Sequence, residues 1–243
     1  MVTKTEKSYE ITRGRTNIAL PSGRRVAHPF YGPGSAKDLR DAIRADGLAE
    51  PDGTVSAEFL ATAYNHDEPE FNEARGIMRK SYFRVFEGHN YDGDSQKLFV
   101  VTPALLDFDA QGRIVIPKAK QLEKRIKDGD TKVRALSFNL LYGGAARLSR
   151  PKEVDRIRPY LEFVYGEEGA EQLLDVADKT KRKEICIWLP DMPSSGEQEL
   201  RIGALGVDFI GGGLGVDGDD GGLGEGVRAF GVFPNSATPR AKK

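Results

Sequence analysis

Gly203-Ala204-Leu205-Gly206-Val207-Asp208-Phe209-Ile210-Gly211-Gly212-Gly213-Leu214-Gly215-Val216-Asp217-Gly218-Asp219-Asp220-Gly221-Gly222-Leu223-Gly224-Glu225-Gly226-Val227-Arg228-Ala229-Phe230-Gly231 is the stretch on which the reading of this chain turns. It holds 12 of the chain's 28 glycines and five carboxylates, against one basic residue, Arg228. Ordering glycine costs more backbone entropy than ordering any other residue. Such a density therefore belongs to a flexible linker, or to a segment that turns sharply and whose side chains are not chosen for packing. The flanks argue against a linker. Upstream, Glu184-Ile185-Cys186-Ile187-Trp188-Leu189 has strand composition. Downstream, Gly226 to Phe233 alternates apolar residues as a half-buried final strand does. A glycine-rich run pinned between two strands reads as a displayed surface, and the competing reading is an ordinary glycine-rich connection.

Working outward toward the N-terminus, Asn17 to Val26 reads as two strands around the turn Pro21-Ser22-Gly23. Ser35-Ala36-Lys37-Asp38 starts a helix that carries Leu39 and Ile43 four apart and stops at Gly47. Ser56 is the expected cap of a second helix through Phe59, Leu60 and Tyr64. Glu70 to Phe86 places Phe71, Ala74, Ile77, Met78, Tyr82 and Val85 at helical spacing. Beyond Asp94 the period changes. Lys97 to Thr102 and Arg113 to Ile116 are strand-like about a turn at Asp109 to Gly112, Pro117 opens a short helix to about Ile126, and Arg134 to Asn139 is a further strand. Glu171 to Ala177 is an amphipathic helix followed by Lys179, Lys181 and Arg182, the charge order that suits a helix dipole. The expected class is α+β: short helices in the first two-thirds, with residues 8–95 the helix-rich half, and an irregular antiparallel β region over 184–234. Residues 8–235 are expected to form one domain with tails at 1–7 and 236–243. A doubly wound sheet is disfavoured, since strands and helices do not alternate regularly.

At 243 residues the chain can bury a sizeable core, and 39% hydrophobic with 30% charged residues is ordinary globular composition. A formal net charge of −1 gives no global pull toward nucleic acid or anionic lipid. The basic stretches 118–134 and 147–158 are interleaved with Glu123, Asp128, Asp130, Glu153 and Asp155, which reads as solvated faces, so no nucleic-acid partner is expected; a nucleic-acid accessory protein using these stretches is a further alternative reading. The lone cysteine, Cys186, allows neither an intrachain disulfide nor a cysteine-based zinc site, and its apolar strand marks it as a small core residue. No segment approaches the roughly 20 apolar residues of a membrane span, and Met1 to Arg15 has no signal-like apolar core; a cytoplasmic protein is the expectation.

Catalytic motifs are scarce. His28, His66 and His89 have no short metal spacing, and His66-Asp67-Glu68 is the one cluster that hints at a ligand set for a metal-dependent hydrolase, the alternative enzymatic reading. Gly213-Leu214-Gly215-Val216-Asp217-Gly218 fits a dinucleotide-binding spacing, but Asp219-Asp220-Gly221-Gly222 after it is a poor helix start. Gly212 to Asp217 matches the opening of a calcium-binding nonapeptide that fails at Asp219. An EF-hand reading from Asp217 fails at its twelfth position, Arg228. No cofactor is expected, with a weak calcium site as the exception left open.

The order of an apolar strand with Trp188, a polar loop, the strand Leu200 to Leu205, the Gly/Asp/apolar run and the closing Gly226-Val227-Arg228 resembles the C-terminal ligand-binding region of C-type-lectin-fold proteins. The resemblance is to the variable proteins of diversity-generating retroelements in particular, with Val227 standing where a phenylalanine is usual. It covers about residues 184–234. It implies a lectin-type scaffold whose codons for a surface patch are rewritten by adenine-directed mutagenesis, and Gly206 to Gly224 uses mainly the residues such rewriting yields. The implied role is a non-catalytic ligand-binding protein, its partner an unidentified protein or small ligand. The residues expected at the binding patch are Val207, Asp208, Ile210, Gly212, Asp217, Asp219 and Asp220, with Trp188, Leu205 and Phe230 as core support. Phe209 is the one aromatic residue between Val207 and Gly224, so weak binding or a small or cationic ligand is expected. Formylglycine-generating enzymes share that fold but use paired cysteines, which this chain lacks.

Overall fold

The hairpin at the start forms as its turn chemistry predicts: β1 (Thr16–Ala19) and β2 (Arg25–His28) pair antiparallel, with Gly23 at a φ of 82° in the turn. The computed structural model describes residues 16–207, 212–219 and 227–234, and of 217–219 the backbone alone. The expected tails 1–7 and 236–243 lie outside the described residues. In α1 (Ala36–Ala45) the Ser35 hydroxyl accepts from the Asp38 amide at 3.1 Å, and Gly47, at a φ of 72°, ends the turn that follows. Helix α2 (Gly53–Asn65) starts earlier than expected. Asp52 is the cap, accepting from the Val55 amide at 2.9 Å, and Ser56 sits inside with its hydroxyl donating to the Asp52 carbonyl at 2.7 Å.

The expected helix from Glu70 to Phe86 is two elements: α3 (Pro69–Met78) and β3 (Tyr82–Asp92). The spacing of Tyr82 and Val85 continues the helical period by coincidence. Every residue of β3 after Tyr82 is buried, so the strand lacks the polar/apolar alternation that would betray it. Strand β4 (Lys97–Val101), the small hairpin β5 (Asp107–Phe108) with β6 (Ile114–Val115), α4 (Ala119–Lys127), β7 (Val133–Ser137) and β8 (Gly144–Arg147) follow. Helix α5 (Pro151–Asp178) consists of two helical halves meeting at Gly166, whose φ of 76° breaks the run. The last strands are β9 (Glu184–Trp188), β10 (Gln198–Val207) and β11 (Leu214–Asp219).

Seven strands form one sheet in the order β7-β4-β3-β10-β11-β9-β8. All neighbours are antiparallel except β11 and β9, which run parallel from Leu214 opposite Ile185 to Asp217 opposite Trp188. The C-terminal region, expected to be irregular and antiparallel, is corrected on this point. Chain order runs β9, β10, β11, but β11 inserts between the other two, and alternate strands of such a set share a direction.

Both faces of the sheet carry a core. On one, α2, α3 and α5 cover Val85, Tyr91, Leu98, Leu205 and Val216, and Phe30, Phe59, Phe83 and Phe230 interlock with ring centroids 4.6 to 6.0 Å apart. On the other, Leu39 and Ile43 of α1, the β5–β6 hairpin and Leu122 of α4 cover Phe86, Phe99, Val101 and Ile202. The molecule is α+β. Residues 227–234 make single bridges instead of a continuous strand, joining Val232 to Val26 and Ala49, Ala229 to Tyr31, and Arg228 to Phe83. Leu205 and Phe230 are fully buried, as core support requires, but Trp188 is 51% exposed. The correction has a simple cause: Ile185 and Ile187 take the inward positions of β9, so Trp188 faces out at its end. Cys186, on the same side as Trp188, is only partly buried. Among the described residues no helix is long and apolar enough to cross a membrane.

Candidate functional site

Much of the glycine-rich run is framework. Leu214 to Asp219 pairs with β10 on one side, and Leu214 to Asp217 pairs with β9 on the other, so this part is an interior strand where a displayed loop was expected. Its glycines permit close approach. A Cβ on Gly206 would come within 2.6 Å of the Tyr82 ring, and one on Gly213 within 2.7 Å of the Glu184 side chain.

The expected patch is thereby divided. Val207 and Gly212 flank the β10–β11 connection. Asp217 and Asp219 are three and five residues beyond Leu214 on β11, the latter about 17 Å along the strand. Asp208, Ile210 and Asp220 lie outside the described residues, as do the side chains of Asp217 and Asp219.

Val207 and Gly212 line one cleft of about 500 Å³, together with Tyr64, Arg79, Lys179, Thr180 and Lys181. Three helices end there. Tyr64 is in the last turn of α2, Arg79 follows α3, and Lys179 to Lys181 follow α5. Cations at helix C-termini complement the partial negative charge of the last carbonyls. For α2 the task falls to Arg75, which donates to the carbonyls of Ala63 and His66 and pairs with Asp67 at 3.1 Å. Lys179 donates to Asn65 Oδ1 and so links α5 to α2. Thr180 is buried, its hydroxyl donating to the Ala177 carbonyl at 2.6 Å. Gly212, at a φ of 80°, accepts from the Arg182 amide at 3.3 Å through its carbonyl and so ties the rim to the end of α5.

Among the described lining residues, charge is one-sided. Arg182 pairs with Glu184 at 3.5 Å and Lys183 with Asp178 at 3.0 Å, whereas Arg79 and Lys181 have no carboxylate partner among the described residues. Burial raises the Tyr64 phenol above its ordinary range, against the pull of Arg79 and Arg75, so it stays a neutral hydrogen-bond donor. Tyr64, Arg79, Lys179 and Lys181 were not singled out as site residues by the sequence reading. In sequence Tyr64 belongs to an apolar stripe, and Lys179 and Lys181 to a helix dipole. The available signal was the pair Lys179 and Lys181 just beyond a helix end; Arg79 fell inside the expected helix from Glu70 to Phe86, and the end of α3 that puts it in the cleft appears only in the fold.

The alternative sites fare differently. His66 and Glu68 are exposed and 3.9 Å apart, and Asp67 is engaged by Arg75. His89 is fully buried on β3. Among the described residues no group of three His, Cys, Asp or Glu could hold a metal. The basic stretches are locally paired, with Arg125 on Asp130 at 2.8 Å and Arg150 on Glu153 at 2.8 Å. One polar feature escaped the sequence reading: the Glu87 carboxylate, buried on β3, takes the Arg134 guanidinium at 2.9 Å. No family model, curated protein or solved structure matches the chain.

Proposed function

We propose that this chain is a non-catalytic ligand-binding protein on a C-type-lectin-like scaffold, with its ligand seated in the cleft at the Val207–Gly212 end of the β10–β11 hairpin. One observation carries the reading: two residues chosen from sequence as binding residues line a cleft closed by three helix ends. The volume of about 500 Å³ suits a small ligand. A rim set on strand ends and helix ends keeps its geometry while its side chains change. The lectin-like part of the proposal draws support from the order β9, polar loop, β10 and a closing segment at Val227–Val232.

If the run is diversified, packing restricts where. Val207 is partly exposed and tolerates rewriting; Gly206, Gly213 and Val216 do not, and Gly212, though only the Lys181 side chain lies near the position of its Cβ, has a φ of 80° that strains any other residue. The encoding DNA tests this: a nearby near-copy should differ from the gene at codon 207 and agree at 206, 212, 213 and 216. For binding itself, amide shifts of ¹⁵N-labelled protein are recorded with lactose, a neutral tripeptide, spermidine and pyrophosphate. Shifts concentrated at Tyr64, Thr180, Val207 and Gly212 with any of them support the site. Shifts concentrated elsewhere, or none with all four, count against it.

A further inference from the structure

Charge at the cleft selects among ligands. Three cationic side chains, Arg79, Lys179 and Lys181, line it without a carboxylate among its described residues. The helix C-termini that meet there offset part of this, each contributing roughly half a negative charge, and α2's share is taken up by Arg75. Among the described residues a positive excess remains. The larger groove beside α4, about 890 Å³, shows the contrast: Lys118, Lys124 and Arg125 face Asp107, Asp128 and Asp130, so its charges balance within the lining.

The rest of the lining adds direction. Tyr64 offers a neutral phenol, and its ring with Val207 gives an apolar wall. Three cations outnumber what one carboxylate would neutralise, and they suit a group that presents several anionic oxygens at once. A volume of about 500 Å³ leaves room for one or two such groups and not for a tracked polymer backbone. Resting on the reading of this cleft as the ligand site, we infer that it takes a small molecule bearing phosphate or sulfate groups. The scarcity of aromatic residues in the run allowed a small or a cationic ligand; the described lining favours a small anionic one.

The test is calorimetric titration with pyrophosphate and with inorganic sulfate, run on the wild-type chain and on R79Q/K181Q. Both substituted residues are exposed, so the variant keeps the fold, which a thermal melt verifies. Pyrophosphate should bind the wild-type chain, more weakly as salt rises from 50 to 300 mM, and about tenfold or more weakly in the variant. The ratio of pyrophosphate to sulfate affinity separates a phosphate from a sulfate source. The inference is overturned if pyrophosphate and sulfate both fail to bind, or bind the variant as well as the wild type. It is also overturned if a single-stranded oligonucleotide binds in their place with the same dependence on Arg79 and Lys181. Failure of the anions while lactose or the tripeptide still shifts Gly212 and Thr180 sinks the anion and spares the ligand site; failure of every probe sinks both.

Discussion

Glu87 and His89 sit two apart on β3, and both are closed off from water. Burial pushes the Glu87 carboxyl up to about 8, opposed chiefly by Arg134 at 2.9 Å. Burial, reinforced by Arg134, pushes the His89 imidazole down to about 4, and neither ring nitrogen has a hydrogen-bond partner among the described residues. The two act on stability with opposite signs. Glu87 binds its proton more tightly in the folded chain, so its contribution is complete below the ordinary carboxylate value and is lost as pH rises toward 8. His89 binds its proton less tightly when folded, so its contribution is complete above about 6.5 and is lost as pH falls toward 4. Urea unfolding from pH 4 to 9 should show a decline on both sides, with E87Q flattening the alkaline limb and H89L the acid limb. Profiles that keep both limbs in the variants would assign the decline to other groups. Gly53, at the start of α2, faces the same cluster: a Cβ there would lie 2.7 Å from the Val164 carbonyl and 2.8 Å from Glu87 Oε2. The substitution G53A should cost about 1–3 kcal/mol, read as a lower urea midpoint, and an unchanged midpoint would mean that α2 does not pack this closely on β3.

At the scale of elements, the clearest contrast is between Phe230 and Trp188. Phe230 completes the aromatic cluster with its ring 4.6 Å from that of Phe59, whereas Trp188 projects from the end of β9. F230A should lower stability by about 3–5 kcal/mol and W188A by about 0.5 kcal/mol or less, in the same unfolding assay. Equal losses would place Trp188 back in the core. The same pair shows what sequence could convey. The first hairpin and α1 were legible because their signals are local: a Pro-Ser-Gly turn, a serine cap, a stop at Gly47. Strand β3 was hidden by burial on both faces, and the first half of α5 by charges that read as a solvated face. Strand β11 was hidden by the glycines in and around it: Gly215 sits close against the Gly206 carbonyl, and Gly206 and Gly213 against Tyr82 and Glu184, so they serve tight strand packing. Of the residues lining the cleft, Val207 and Gly212 stood out in the sequence only as members of the patch that the resemblance implied. Tyr64, Arg79, Lys179 and Lys181 were not, since 114 residues separate Asn65 from the lysine that meets it.

For the whole molecule, one sheet divides two cores, and β11 is the strand through which β9 and β8 join the rest. The cleft lies where that sheet meets the ends of α2, α3 and α5. Everything proposed for the ligand site depends on the glycine-rich segment being framework over Gly203 to Val207 and again from Leu214 onward, as part of the sheet. Native-state amide hydrogen exchange resolves this directly. The account predicts that the amides of Leu214 to Val216 exchange as slowly as those of Val85 and Phe86 in β3, through opening of the whole sheet. Exchange of those amides within seconds, while β3 stays protected, would contradict it.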